Sequence, residues 1–324
     1  MPAVVTERTF ETARTLVDYL IHETTRNCIF RGQADSRWDL TPSAWRNGKL
    51  RSLVERMSRR YGDRWVELLS FTNIEEPEGL AERYLDDTGP DSIARLRDLL
   101  IWLSAERLIV GSFSNSCDRV ALPIPGIDSP GSMMSPITER AIVVGRRPNK
   151  DVFYREVPIY EPSSAHALAQ HMKLPTRLLD FTDNPLKAAY FAMVEGLPLI
   201  QGLGPDHSCI WVASPPAVDE DTLKFLMLLG DETRVIRVLR SEIPFLHAQD
   251  GLFVCCNASA NQHFLMNGAW PNFEQIMHRW SLEKLLLPIA EMPSLRDCLN
   301  RLGINSTTLM PSYEQAAIDA RGLL

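Results

Sequence analysis

Two proline steps constrain the middle of this chain more than any other feature: Leu174-Pro175 and Asn184-Pro185. The first ends the helical pattern from Ser163 to Met172, because a residue before proline is pushed out of the helical region and the ring brings no N–H to the ladder. The second opens a new helix through Val194, where proline is tolerated in the first turn. Between them lies Thr176-Arg177-Leu178-Leu179-Asp180-Phe181-Thr182, which reads as a strand-to-helix turn.

The flanking regions supply the other elements. Thr9 to Thr25 carries Leu16, Val17, Leu20 and Ile21 at helical spacing, and Asn27 to Gly32 is an apolar run ended by glycine, a helix feeding a strand. Arg46 to Val110 is rich in charge and helix formers, with Leu53/Met57, Val66/Leu69 and Leu96/Leu99/Leu100/Leu103 as apolar stripes. Ser112 to Pro136 turns to Ser, Pro, Gly and Met, which predicts a long loop able to cover a site. After Gly202 come short β-like runs at Cys209 to Ala213, Arg234 to Leu239, Leu252 to Cys256 and Leu282 to Ile289, so the sheet is assembled mostly late. Helices over Leu295 to Leu302 and Tyr313 to Leu323 close the chain. Residues 1–324 are read as a single domain, with 46–151 a helical and loop insertion within it.

A net charge of −7 gives the whole molecule no general attraction for nucleic acid or an anionic membrane, so any polyanion needs a local basic patch. Met1 to Phe10 has neither a secretory signal nor a spanning segment, and the expected location is cytoplasmic, with no membrane partner. The cysteines lack zinc-ligand spacing and are expected as buried reduced thiols. His166 and His171 are five apart, a step that turns their rings about 140° from each other on a helix, so no metal is expected. No phosphate-binding Gly-Lys loop or serine-hydrolase elbow is present.

Three segments could carry chemistry. Phe30-Arg31-Gly32-Gln33 puts an arginine at a strand end, where its planar fork can clamp a phosphate, though a salt-bridging arginine is the commoner use. Around the strand-to-helix turn, His171, Thr176, Arg177, Asp180, Thr182 and Asp183 interrupt an apolar frame. Capping by Thr182 or Asp183 and pairing of Asp180 with Arg177 or Arg31 explain those residues without a ligand. In Ile243 to Val254, Gln249 precedes Gly251, and its amide can read a hydroxyl or bond the local backbone.

Together the three segments resemble the FRG domain, through Phe30 to Gln33, the block His171 to Ala192, and Ala248-Gln249-Asp250-Gly251-Leu252-Phe253. The likeness runs from about residue 28 to the C-terminus; Phe245-Leu246 departs from it where a basic residue is expected. The order of the segments is in turn similar to the ADP-ribosyltransferase superfamily. That similarity implies an α+β fold with a mixed or antiparallel sheet core and a helical insertion after the first strand. It also implies NAD as substrate, bound by Arg31, Gly32, His171, Thr176, Arg177, Phe181 and Thr182, with Arg31, Gln249 and Asp180 as the catalytic set.

The chemistry is coherent: cleaving the nicotinamide–ribose bond builds positive charge on the sugar, so a site must pin the pyrophosphate and orient both ends. Gln249 can orient a hydroxyl but cannot take a proton, which leaves Asp180 or Asp183 as the base. The expected function is transfer of ADP-ribose to an unknown macromolecular acceptor or hydrolysis of NAD, as in a toxin or phage-defence effector. The alternative is a non-catalytic nucleotide-sensing module acting on a partner protein. A nucleic-acid-processing enzyme is a third reading, resting on Arg51, Arg56, Arg59, Arg60 and Arg64, a cluster that more often marks a solvated helix face.

Overall fold

The computed structural model describes residues 3–22, 27–46, 48, 50–68, 89–124, 139–146, 152–159, 162–196, 205–216, 233–238, 243–277, 279–315 and 317. Among the described residues seven strands form the main sheet: β1 (Val4–Thr9), β2 (Ile29–Gln33), β5 (Leu179–Thr182), β6 (His207–Ser214), β7 (Arg234–Ile236), β8 (Gly251–Cys255) and β9 (Ser281–Pro288). Their spatial order is β1-β9-β6-β2-β5-β8-β7, and β3 (Glu139–Arg146) pairs with β4 (Val152–Ile159) in a separate two-stranded sheet. Among the described residues only β1 against β9 is parallel; the other pairs of the main sheet are antiparallel. The fold is therefore α+β, with a mixed, mostly antiparallel sheet.

Helices cover one face of this sheet. The helices α1 (Ala13–His22), α5 (Pro185–Gly196) and α9 (Met292–Arg301) bury Leu16, Leu20, Ala188, Ala192, Leu295 and Leu299 against Phe30, Ile210, Val212, Leu285 and Leu287. The opposite face carries Ile29, Leu179, Phe181, Trp211, Leu252, Val254 and Leu282, and packs on Leu40, Trp45, Leu50 and the short helix α8 (Phe273–Ile276). Alternation along β2 explains the split, since successive side chains of a strand point to opposite faces. Burying each of these large apolar side chains contributes roughly 1.5–3 kcal/mol.

A third layer comes from α2 (Arg51–Tyr61), a 3₁₀ turn (Gly62–Leu68), the long helix α3 (Pro90–Arg119), the helix α4 (Ser164–His171) and the helix α7 (Asn257–Asn267). Leu96, Leu99, Leu100 and Leu103 of α3 are fully buried with Met57, Trp65, Phe264 and Leu265, as their spacing predicts.

Several expectations need correction. β1 precedes the strand at Ile29, so the helical stretch follows the second strand rather than the first. The loop expected from Ser112 is helical through Arg119, because Ser116 Oγ donates to the Ser112 carbonyl at 2.9 Å and Ser114 and Cys117 pack inward. Residues 125–136 of that expected loop lie outside the described residues, as does Leu69 of one apolar stripe. After the short helix α10 (Ser306–Leu309), residues 313–315 are helical and most of the closing helix expected to Leu323 lies outside the description. The remaining short helix, α6 (Pro244–Ala248), leads into β8 and sets the position of Gln249.

Candidate functional site

Strand β2 runs between β6 and β5, and Gly32 is where α5 crosses it. A Cβ at Gly32 would lie 2.0 Å from the Ala188 carbonyl oxygen and 2.6 Å from the Ala192 nitrogen. Only glycine lets the helix approach this closely. Gln33, next along the chain, is buried and structural: its Oε1 accepts from Trp211 Nε1 at 2.8 Å.

The turn between β5 and α5 is built by Thr182 and Asn184. Thr182 Oγ1 donates to the Gln249 carbonyl at 2.7 Å and accepts from the Asn184 N–H at 3.0 Å. Asn184 Oδ1 accepts from the N–H groups of Leu186 and Lys187, capping the helix that Pro185 opens. Asp183 points elsewhere, in a two-pronged pair with Arg237 at 2.5 and 2.8 Å. It does not line the cleft described next, so the candidate base Asp183 is set aside.

A cleft of about 530 Å³ opens along these elements. Its walls include Arg31 and Gly32 from β2, His171 from α4, Asp180, Phe181 and Thr182 from β5, and Gln249 from the turn before β8. Segments separated by more than two hundred residues thus meet in one cavity, and its volume falls in the usual range for small-molecule sites, about 300–1,000 Å³. Arg46, Lys173, Phe30, Leu174, Phe191 and Met310 also border it. Sequence reasoning did not single out Arg46 or Lys173 as site residues; Lys173 lies within the His171 to Ala192 block without having been chosen, and Arg46, outside all three segments, is brought here only by folding.

The polar centre is Asp180. Its Oδ2 accepts from Gln170 Nε2 at 2.7 Å and lies 3.8 Å from Arg31 Nη1, which itself donates to the Asp180 carbonyl at 2.7 Å. Gln170 is oriented in turn by Thr176 Oγ1, 2.7 Å from its Oε1, and by Ser43 Oγ at 3.3 Å. The Asp180 side chain is half exposed, whereas Arg31 Nε is buried with no hydrogen-bond acceptor among the described residues. A carboxylate and a guanidinium with spare donor capacity therefore sit together, held by a chain of hydroxyl and amide groups. His171 stacks on Phe245, ring centroids 3.4 Å apart, so an aromatic stands where a basic residue was expected. Burial pushes the His171 imidazole below the usual histidine range, against the pull of Asp180, and it is neutral at pH 7.

Three sequence assignments change. Arg177 is fully buried away from the cleft, where its Nε bonds Glu106 Oε2 at 2.7 Å and its Nη1 reaches Asn257 and, at 3.3 Å, Asn261. It ties α3 to α7 and is not a ligand-binding group, because its donors are directed at buried partners. Thr176 is buried and outside the walls of the cleft; it acts by orienting Gln170. Gln249 lines the cleft, but its amide Nε2 donates to the Leu309 carbonyl at 3.2 Å, fastening the turn to α10. Gln249 thus brings no acid–base capacity to the cleft; among its walls Asp180 and the neutral His171 do.

Other residue types are inert here. Burial raises the Cys209 thiol to about 12 and Cys256 well above its ordinary value, so neither is a thiolate at neutral pH. His166 is buried in the capping box that starts α4. No group of three or more His, Cys, Asp or Glu able to hold a metal occurs among the described residues. None of the described helices is long and apolar enough to cross a membrane.

These features define an α+β protein with a polar cleft at a strand-to-helix turn. Residues 138–198 match the family model of the FRG domain. The match spans β3, β4, α4, β5 and α5, and so contains His171 and Asp180; Arg31 and Gln249 fall outside it. It begins within 46–151, the stretch read as an insertion. No curated protein and no solved structure matches the chain.

Proposed function

We propose that the cleft binds NAD and that the protein transfers its ADP-ribose to a macromolecular acceptor or to water. The observation that carries this reading is the charge of the cleft. Arg31, Arg46 and Lys173 outnumber Asp180 among its ionised residues, a local cationic excess on a chain of net charge −7. NAD brings an anionic pyrophosphate and a cationic nicotinamide ring, so it needs cations and a carboxylate in one cavity. Phe30, Leu174 and Phe191 supply apolar wall for a planar ring.

On this reading Arg31 clamps the pyrophosphate and Asp180 faces the sugar. As the carbon–nitrogen bond to nicotinamide lengthens, positive charge develops on the ribose, and a carboxylate fixed by Gln170 stabilises it without reorganising. The same carboxylate takes the proton released by the attacking nucleophile. Gln170 and Thr176 act by holding Asp180 in place.

Incubation with NAD, following nicotinamide release, tests this directly. Asp180→Asn is expected to slow release about 100-fold or more with NAD binding retained, and Arg31→Ala to weaken NAD binding. Absence of release together with absence of any modified target, or a full rate in Asp180→Asn, would overturn the enzymatic reading. A second reading, a nucleotide sensor without turnover, is favoured by one feature: Gln249 links the cleft wall to Leu309 of α10, a route from ligand to the C-terminal segment. Thermal stabilisation by NAD with no nicotinamide released would select it.

A further inference from the structure

We infer that a second groove, meeting the cleft at Arg46, holds the acceptor, and that this acceptor is a single-stranded nucleic acid; the inference rests on the NAD reading of the cleft. The groove has a volume of about 460 Å³ and is lined by Arg37, Trp38, Asp39, Thr41, Trp45 and Arg46. Arg46 borders both cavities, and its Nε is fixed by the Thr41 carbonyl at 2.8 Å.

The lining has the composition that unpaired nucleotides require. Trp38 leaves 46% of its surface in solvent, an unusual position for an indole and a ready platform for a base. Arg37 is held in a two-pronged pair with Asp35, at 2.9 and 2.7 Å, yet its side chain is 69% exposed, so donors remain for a phosphate. Trp45 is held rigid by stacking on Trp270 at 4.8 Å, and its indole N–H, buried in the wall, has no acceptor among the described residues. Further along the chain, α2 exposes Arg51, Arg56, Arg59 and Arg60, of which Arg51 pairs with Glu55 at 3.2 Å. Exposed aromatic surface beside arginines binds bases by stacking and the backbone by charge. A duplex hides its base faces and cannot use Trp38 in this way.

The transfer step balances without another reagent. The nicotinamide–ribose bond breaks with its electron pair leaving on nicotinamide, and a base N–H or ribose hydroxyl of the strand bonds to that carbon. The proton it loses passes to Asp180 and then to water.

The test uses the full chain, fluorescent 20-nucleotide single strands of RNA and DNA, the matching duplexes, a polyglutamate peptide, and NAD labelled in its adenylate. Single strands are expected to bind, with Trp38→Ala weakening binding about tenfold. Arg37→Ala is expected to reduce the slope of log K against log salt by about 0.7. Label is expected to move from NAD to the single strand. Equal binding of duplex, stronger binding of polyglutamate, unchanged affinity in Trp38→Ala, or release of nicotinamide without label on the strand would each overturn the inference. Calorimetric titration with NAD alone separates the two proposals: a protein that binds strands but not NAD retains the groove and loses the NAD reading, and with it the acceptor role.

Discussion

Replacing Arg177 by methionine removes the guanidinium while keeping much of the side chain's volume, which isolates the charge from the packing. Arg177 and Glu106 are 0% and 1% exposed, so the variant leaves a carboxylate buried without its cation, and Asn257 and Asn261 each lose a donor. Breaking a buried pair by removing one partner costs about 3–5 kcal/mol. An unfolding entropy of roughly 2.1 cal/mol/K per residue over the 324-residue chain gives about 0.7 kcal/mol/K, so Tm falls by roughly 4–7 °C. Replacing both partners, Arg177→Met with Glu106→Leu, removes the stranded charge and is expected to recover at least half of that loss. Scanning calorimetry of both single variants and the double variant measures the cycle. A drop below about 1 °C in Arg177→Met, or intact stability with lost NAD binding, would refute the structural role assigned to this arginine.

Gly32→Ala drives a methyl group into the Ala188 and Ala192 backbone, which cannot give way as a side chain can, and a loss of at least about 2 kcal/mol is expected; a denaturation midpoint unchanged from the parent would count against the close crossing of α5. His166 is held down to about 3 by burial first and by Arg177 and Arg107 next, against 6.5 when unfolded. The unfolded chain therefore binds more protons below pH 6.5, so this contribution is present above that pH and is lost as pH falls, by roughly 2.7 kcal/mol at pH 4.5. Urea titrations at both pH values check it, and His166→Gln is expected to flatten the dependence. Gln249→Ala removes the bond to Leu309 and is expected to cost about 1 kcal/mol while leaving nicotinamide release within a few-fold; loss of all activity would return the catalytic role to Gln249.

Local rules fixed much of the fold's skeleton before any tertiary contact is considered. Pro175 and Pro185 bound α4, β5 and α5 because proline acts on its own and its neighbour's backbone, and the leucine spacing of α3 places its buried face for the same local reason. β1 escaped notice because Val4 to Thr9 is exposed throughout and carries no alternation; its place is set by pairing with β9, more than two hundred and seventy residues away. The serine-rich start of the expected loop joined α3 with Ser114 and Cys117 packed inward, which composition does not encode.

The site divides in the same way. Taken locally, Arg31, His171, Asp180 and Gln249 each had an ordinary structural explanation; the resemblance of the three segments to a family made them one candidate set, and these four do meet. The sequence could not separate Arg177 from Asp180, three residues apart in one motif, because alternation and burial decide that one turns to Glu106 inside and the other to the cleft. Nor could it join Arg46 to them. Residue type and spacing determine which groups can do chemistry; packing across the sheet determines which of them share a cavity and which are already committed to one another.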